Sequence, residues 1–84
     1  MTYSLRIKSS VRSEIQALPR ADRVRVVEAI DSLCDQPHQG SVLKGALKGL
    51  RRLRVGRYRV IYEVQDSVLV VLVLRVGHRR DVYR

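Results

Sequence analysis

The sequence predicts an α+β fold: an N-terminal strand, a two-helix hairpin, then a three-stranded antiparallel meander, with the helices packed on one face of the sheet. Apolar residues alternate at the N-terminus, recur at helical spacing as far as Asp35, and alternate again from Leu50 onward. Two short interruptions, Gly56-Arg57 and Asp66-Ser67, cut that last part into strands. A chain of 84 residues has room for one domain, so residues 1–84 are read as a single unit.

From Thr2 to Lys8, Tyr3, Leu5 and Ile7 point one way and Ser4, Arg6 and Lys8 the other, the pattern of a half-buried strand. Ser9 and Ser10 offer N-cap oxygens to a short helix carrying Val11, Ile15 and Leu18, and Pro19 ends that helix or opens the next. From Ala21 to Asp35, Val26, Val27, Ile30, Leu33 and Cys34 form one apolar stripe, which makes Cys34 a packing residue. Residues 36–49 carry Pro37, Gly40, Gly45 and Gly49 and read as a loop with a turn of structure near Leu43 and Leu47. Strands follow at Leu50–Val55, Tyr58–Gln65 and Val68–Val76, with Gly77 breaking the last of them before a short tail.

Composition excludes several classes. One cysteine permits neither an internal disulfide framework nor a cysteine-only metal cage. The first residues lack a signal-peptide core, and the longest aliphatic run, Val68 to Leu74, is far short of the ~20 residues a membrane helix needs. The expected setting is the cytoplasm, with no membrane partner. Charge points the other way, toward a polyanion. The net charge is +9. It is concentrated in residues 43–84, which hold eleven basic and three acidic side chains, against six and five in residues 1–42. Most of the basic residues are arginines, whose planar forks hold phosphate oxygens in pairs.

A two-residue turn at Gly56-Arg57 pairs Val55 with Tyr58, and the register then sets Arg54 opposite Arg59, Leu53 opposite Val60 and Arg52 opposite Ile61. Leu53, Val55, Tyr58, Val60 and Tyr62 share the face toward the helices; Arg52, Arg54, Arg59, Ile61 and Glu63 share the other. Like charges directly opposite destabilise a strand pair by up to ~1 kcal/mol, so an anion between them is expected. The competing account is a solvated face with Glu63 as partial counter-ion. The tail adds His78, Arg79, Arg80, Asp81, Tyr83 and Arg84. A histidine can exchange protons near neutral pH, and a tyrosine can stack on a base or orient a phosphate. His38, in a Pro/Gly loop, reads as surface. The spacing of His38, His78 and Asp81 fits no metal site, so no metal or other cofactor is expected.

With these residues in place, the chain resembles a RelE-family toxin of the RelE/ParE toxin–antitoxin superfamily. The resemblance runs from Tyr3-Ser4-Leu5-Arg6-Ile7 through Leu18-Pro19 and Leu43-Lys44-Gly45 to Leu50-Arg51-Arg52-Leu53-Arg54-Val55-Gly56-Arg57-Tyr58-Arg59-Val60-Ile61-Tyr62. It closes on Val76-Gly77-His78-Arg79-Arg80-Asp81-Val82-Tyr83. It implies a RelE/ParE-like fold and metal-independent cleavage of messenger RNA in the ribosomal A site, beside ribosomal RNA. It also implies a cognate acidic antitoxin, through which the complex binds its own operator DNA. The family's site residues correspond to Arg52, Arg54, Arg59, Arg79 and Tyr83, to which His78 is added; Lys48, Arg51, Arg57, Arg80 and Arg84 lie around them and are expected to hold RNA. In the RelE pattern lysines stand at the first two places, where this chain has Arg52 and Arg54. Arginine stays protonated and is a poor base. His78, or the ribosome and substrate, is left to move the proton. Two other readings share the charge pattern: a ParE-like toxin that poisons DNA gyrase without catalysis, and an inert basic nucleic-acid-binding module.

Overall fold

A computed structural model describes residues 2–78. The order is β1 (Ser4–Ile7), α1 (Ser9–Gln16), α2 (Arg20–Ser32), β2 (Ser41–Val42), β3 (Arg51–Val55), β4 (Tyr58–Gln65) and β5 (Val70–His78), with 3₁₀ turns at Gly45–Leu47 and Asp66–Val68. The sheet has five strands in the order β1-β5-β4-β3-β2. The expected meander β3-β4-β5 is its centre. β1 lies parallel to β5, and the two-residue β2 pairs with Arg51 and Arg52 at the opposite edge. Both helices cover one face, and Val11, Ile15, Val26, Ile30 and Leu33 close on Val60, Tyr62, Val71, Val73 and Val76.

Several boundaries differ from expectation for local reasons. Ser9 and Ser10 lie inside α1; Lys8 is its N-cap, and no side chain caps it. Pro19 opens α2, with its carbonyl accepting the Arg23 N–H at 2.8 Å. α2 stops at Ser32 because the amides of Leu33, Cys34 and Asp35 bond three residues back, tightening into 3₁₀ turns. Val27 is 41% exposed, since one step along a helix turns it about 100° from Val26, out of the core. Asp66-Ser67 is not a two-residue turn. Gln65 and Val70 are the last pair, so four residues make the connection, ending on Leu69 in the left-handed region at φ 54°. The Leu69 carbonyl accepts the Ser4 N–H at 2.8 Å, which fixes that conformation against β1. Gly77 does not break β5; it pairs with Arg59, and His78 pairs with Tyr58.

The loop before β2 is held by buried polar contacts. The Tyr62 hydroxyl, on a fully buried side chain, accepts the Gly40 N–H at 3.0 Å and donates to the Pro37 carbonyl at 2.8 Å. Arg51 donates to the carbonyls of His38 at 3.2 Å and Gly40 at 2.8 Å. A side chain on Gly40 would place its Cβ 2.6 Å from both the Arg52 carbonyl oxygen and the Tyr62 hydroxyl, so glycine is required for close approach. At the same end of the sheet the Tyr3 hydroxyl donates to Asp66 at 2.5 Å, and His38 Nε2 lies 3.5 Å from the same carboxylate oxygen. That hydrogen bond, first, holds the Asp66 carboxyl below its ordinary pKa against the opposing effect of burial, with His38 and Arg51 adding to it.

Tyr62→Phe leaves a buried amide and a buried carbonyl unpaired and is expected to cost ~1–3 kcal/mol, lowering Tm by roughly 5–15 °C. Gly40→Ala is expected to act in the same direction. Thermal melts followed by circular dichroism check both, and a Tyr62→Phe protein melting with the wild type would sink this account of the loop. Because the Asp66 pKa is depressed on folding, its contribution is present above the ordinary aspartate value of 3.8 and is lost as pH falls through the lower, folded-state value. Asp66→Asn should therefore be less stable than wild type at neutral pH, with the gap closing in acid; a gap independent of pH in paired denaturation curves would contradict it.

Candidate functional site

The β3–β4 hairpin positions the arginines. Gly56, at φ 58°, is the first of two turn residues and Arg57 is not in the positive-φ region, the pattern of a type II′ turn that suits strand twist. Val55 pairs with Tyr58 across it, and the register is the expected one: Arg54 with Arg59, Leu53 with Val60, Arg52 with Ile61. Leu53, Val55 and Tyr58 pack on the core side with Val60 and Tyr62. Strand alternation therefore turns Arg52, Arg54 and Arg59 onto the face the helices leave open. Arg54 is exposed, while Arg59 is half-buried with its Nε withdrawn from solvent. Arg52 and Arg54 also line an open groove along the β3 edge, against Gln39, Gly40 and Ser41. A second groove nearer the hairpin tip, also touched by Arg54, is bounded by Arg25 and Glu28 of α2.

The expected residues divide among different places. Arg52, Arg54 and Arg59 are together. Arg57 is exposed in the turn, and Lys48 is exposed in the loop ahead of β3. Arg51 does not join them: it pairs with Tyr62, faces the core side, and its guanidinium is taken up by the two loop carbonyls. His78 pairs with Tyr58 and so belongs to the core-facing side, opposite to Arg54 and Arg59. Its ring meets the Tyr58 ring edge-on, with centroids 6.1 Å apart and planes at 80°. The Tyr58 hydroxyl in turn donates to Asp22 of α2 at 3.1 Å. Burial, then the bond to Asp22, raises the Tyr58 pKa, so the phenol remains a donor. Arg79, Arg80, Tyr83 and Arg84 lie outside the described residues.

Glu63, offered as a counter-ion to the arginines, accepts a hydrogen bond from Gln65 at 2.7 Å. His38 has more company than its loop implied, with Asp66 beside it and the Tyr3 ring edge-on at 6.4 Å. No spacing in the sequence shows that pairing, because Tyr3 and Asp66 are brought together only by the β1–β5 ladder. Arg75 also escaped the sequence reading, and it lands on the open face. Among the described residues no group of three or more His, Cys, Asp or Glu is arranged to hold a metal ion, and no helix is long and apolar enough to cross a membrane.

With that face defined, the comparisons with known proteins fall into line. A family model described as the ParE toxin of the type II toxin–antitoxin system parDE matches residues 5–83. The chain belongs to this RelE/ParE family of toxins. Toxin RelG of Mycobacterium tuberculosis is 36% identical over 86 residues, covering 100% of this chain and 99% of that one. Among solved structures, the toxin in a RelBE complex of Mycobacterium tuberculosis superposes with a TM-score of 0.85 at 33% identity, covering 94% of this chain and 100% of the other. The archaeal RelE–RelB complex of Pyrococcus horikoshii gives 0.81 at 34% identity, covering 96% and 99%.

The cross-strand pair Arg54–Arg59 carries a like-charge penalty in the isolated toxin. Arg54→Ala and Arg59→Ala are each expected to leave stability unchanged or raise it by a few tenths of a kcal/mol (~0.2–0.5). Urea titrations measure this; a loss of ~2 kcal/mol or more in either variant would make the arginines part of the fold's support rather than an anion site.

Proposed function

We propose that this toxin is a metal-independent endoribonuclease that cleaves messenger RNA in the ribosomal A site and so stops translation. The observation that supports it most is Arg52, Arg54 and Arg59 held side by side on an open face by the hairpin register. The reaction is attack of a ribose 2′-oxygen on the adjacent phosphorus. The 2′-hydroxyl proton leaves to a base, a P–O bond forms to give a cyclic phosphate, and the bond to the 5′-oxygen breaks as that oxygen takes up a proton. Charge accumulates on the non-bridging oxygens of the phosphorane, where preorganised guanidinium groups stabilise it. Arg52, Arg54, Arg59 and Arg79 have that role in this reading. Tyr83 stacks on or orients the substrate, and His78 exchanges the proton. Lys48, Arg57, Arg80 and Arg84 hold the RNA and ribosomal RNA backbone. For His78 to meet the same ribose, the RNA has to cross the end of β5 at Gly77, which pairs with Arg59 and has no side chain to obstruct it.

The free toxin acts in the cytoplasm, and an acidic antitoxin neutralises it, as its solved relatives in RelB complexes suggest. The toxin–antitoxin complex binds its operator through the antitoxin. A second reading, a ParE-like toxin that binds DNA gyrase without cleaving RNA, draws support from the placement of His78 on the other face from the arginines.

Primer extension on messenger RNA in programmed ribosomes tests the first reading. Arg54→Ala and Arg59→Ala are each expected to slow single-turnover cleavage by ~10²–10³-fold. His78→Gln should slow it by ~10²–10⁴-fold. Intact messenger RNA with supercoiling by purified gyrase blocked would establish the second reading instead.

A further inference from the structure

β5 does not alternate evenly. Its register against β4 shifts between Ile61 and Tyr62: Tyr62 pairs with Val73, but Ile61 pairs with Arg75, leaving Leu74 as an extra residue. Even alternation would set Arg75 on the same face as Val71 and Val73, which are fully buried in the core. The bulge reverses that parity. Val76 enters the core beside Val60, and Arg75 turns outward, exposed, onto the face that carries Arg52, Arg54 and Arg59. Bulges re-aim side chains in this way.

Arg75 has a second arginine in register with it across Ile61. Across three adjacent strands the register reads Arg52, Ile61, Arg75. Ile61 is on the solvent side of the sheet yet only 4% exposed. Its neighbours on that face are Arg52 and Arg75 on either side, with Arg59 and Glu63 along its own strand. Long arginine stems can cover apolar surface while their charged heads stay in water, and Arg52 and Arg75 are placed in register to do so at Ile61. The two arginines therefore flank it from strands about 10 Å apart. Pairing of β1 stops at Val73, so among the described residues no strand pairs with Arg75 on its other side.

We propose that Arg75 is a further RNA-phosphate contact of this toxin, placed by the β-bulge at Leu74, and that with Arg52 it carries the RNA backbone across the sheet over Ile61. The inference rests on the reading of this face as an RNA site and adds a residue on a third strand to it. Arg75 acts by binding, not by moving a proton.

The test uses toxin released from its co-expressed antitoxin and a single-stranded 2′-O-methyl RNA oligonucleotide, which has no free 2′-hydroxyl and cannot be cleaved. Binding is titrated from about 50 to 200 mM salt, and the slope of log affinity against log salt counts phosphate contacts. Arg75→Gln should weaken binding by roughly tenfold and reduce the slope by about 0.7–1, with an unchanged melting temperature. Arg75→Lys keeps the charge and should keep the slope. Arg12→Gln, which removes a charge from the helical side, should leave the slope at the wild-type value. Wild-type affinity and slope in Arg75→Gln overturn the inference, as does an equal loss in Arg12→Gln, which would make the effect one of net charge. If Arg75→Gln loses the contact as expected while the wild type cleaves no messenger RNA on ribosomes, the nuclease reading falls and the Arg75 contact stands. If the wild type binds no RNA, both fall.

Discussion

A slip of one residue in the β3–β4 register would turn one strand over: either Arg52 and Arg54 would enter the core as Leu53 leaves it, or Arg59 would enter as Val60 and Tyr62 come out into water. The register is therefore fixed by burial. Burying a large apolar side chain contributes roughly 1.5–3 kcal/mol. Val60 and Tyr62 are both fully buried. The opposition of Arg54 and Arg59 costs at most about 1 kcal/mol. The core wins, and the arginines are held together because their neighbours are held apart from water. The same register orients the Tyr62 hydroxyl toward Pro37 and Gly40, which seats the loop that walls the groove beside Arg52. One constraint thus sets both the electrostatics of the open face and the shape of its margin.

What could be read in the sequence follows from which interactions are local. The hairpin register was legible because Gly56-Arg57 leaves one tight turn and alternation does the rest. The buried faces of α1 and α2 were legible from period alone, although Val27 belonged to the open side. The displacement of Arg51 was within reach, since the register that sets Arg52 opposite Ile61 also sets Arg51 opposite Tyr62. The parallel β1–β5 ladder and the two-residue β2 were not legible, because each exists only by pairing with a strand distant in sequence. The bulge at Leu74 was hidden by composition. Val71, Leu72, Val73 and Leu74 are all aliphatic, so nothing in that run marks where the alternation skips. The outward turn of Arg75 was consequently not legible, and His78 was placed with the arginines when the skipped residue sends it to the other face.

The one-sided architecture explains why arginine, rather than a mixed polar surface, fills the open face. Helices of 8 and 13 residues can cover one side of a five-stranded sheet and no more. Among the described residues the other side has no layer above it, yet Ile61 on that side is only 4% exposed. Arginine answers both needs, with an aliphatic stem over the apolar floor and a weakly hydrated head above it. A domain this small cannot enclose its chemistry, so cation density stands in for enclosure: several guanidinium groups on one rigid surface raise the local potential without a pocket.

Strand parity then limits what a single strand can contribute. Neighbouring residues face opposite sides, so charge donors and a proton carrier that follow one another along β5 cannot both address one phosphate from within the sheet. They can do so only where the strand ends and a substrate can pass from one face to the other. Gly77 and His78 are at that end, beside Arg59 and Tyr58, and Asp22 anchors Tyr58 from α2. The arginine face extends to the same end through Arg54 and Arg59. In the proposed nuclease, stabilising a phosphorane and moving a proton would thus be separable tasks, divided between two faces that meet at the strand end. Under the proposed nuclease reading, arginine in place of the RelE pattern's lysines at positions 52 and 54 keeps the charge on the open face, and the proton would be handled from the other side of Gly77.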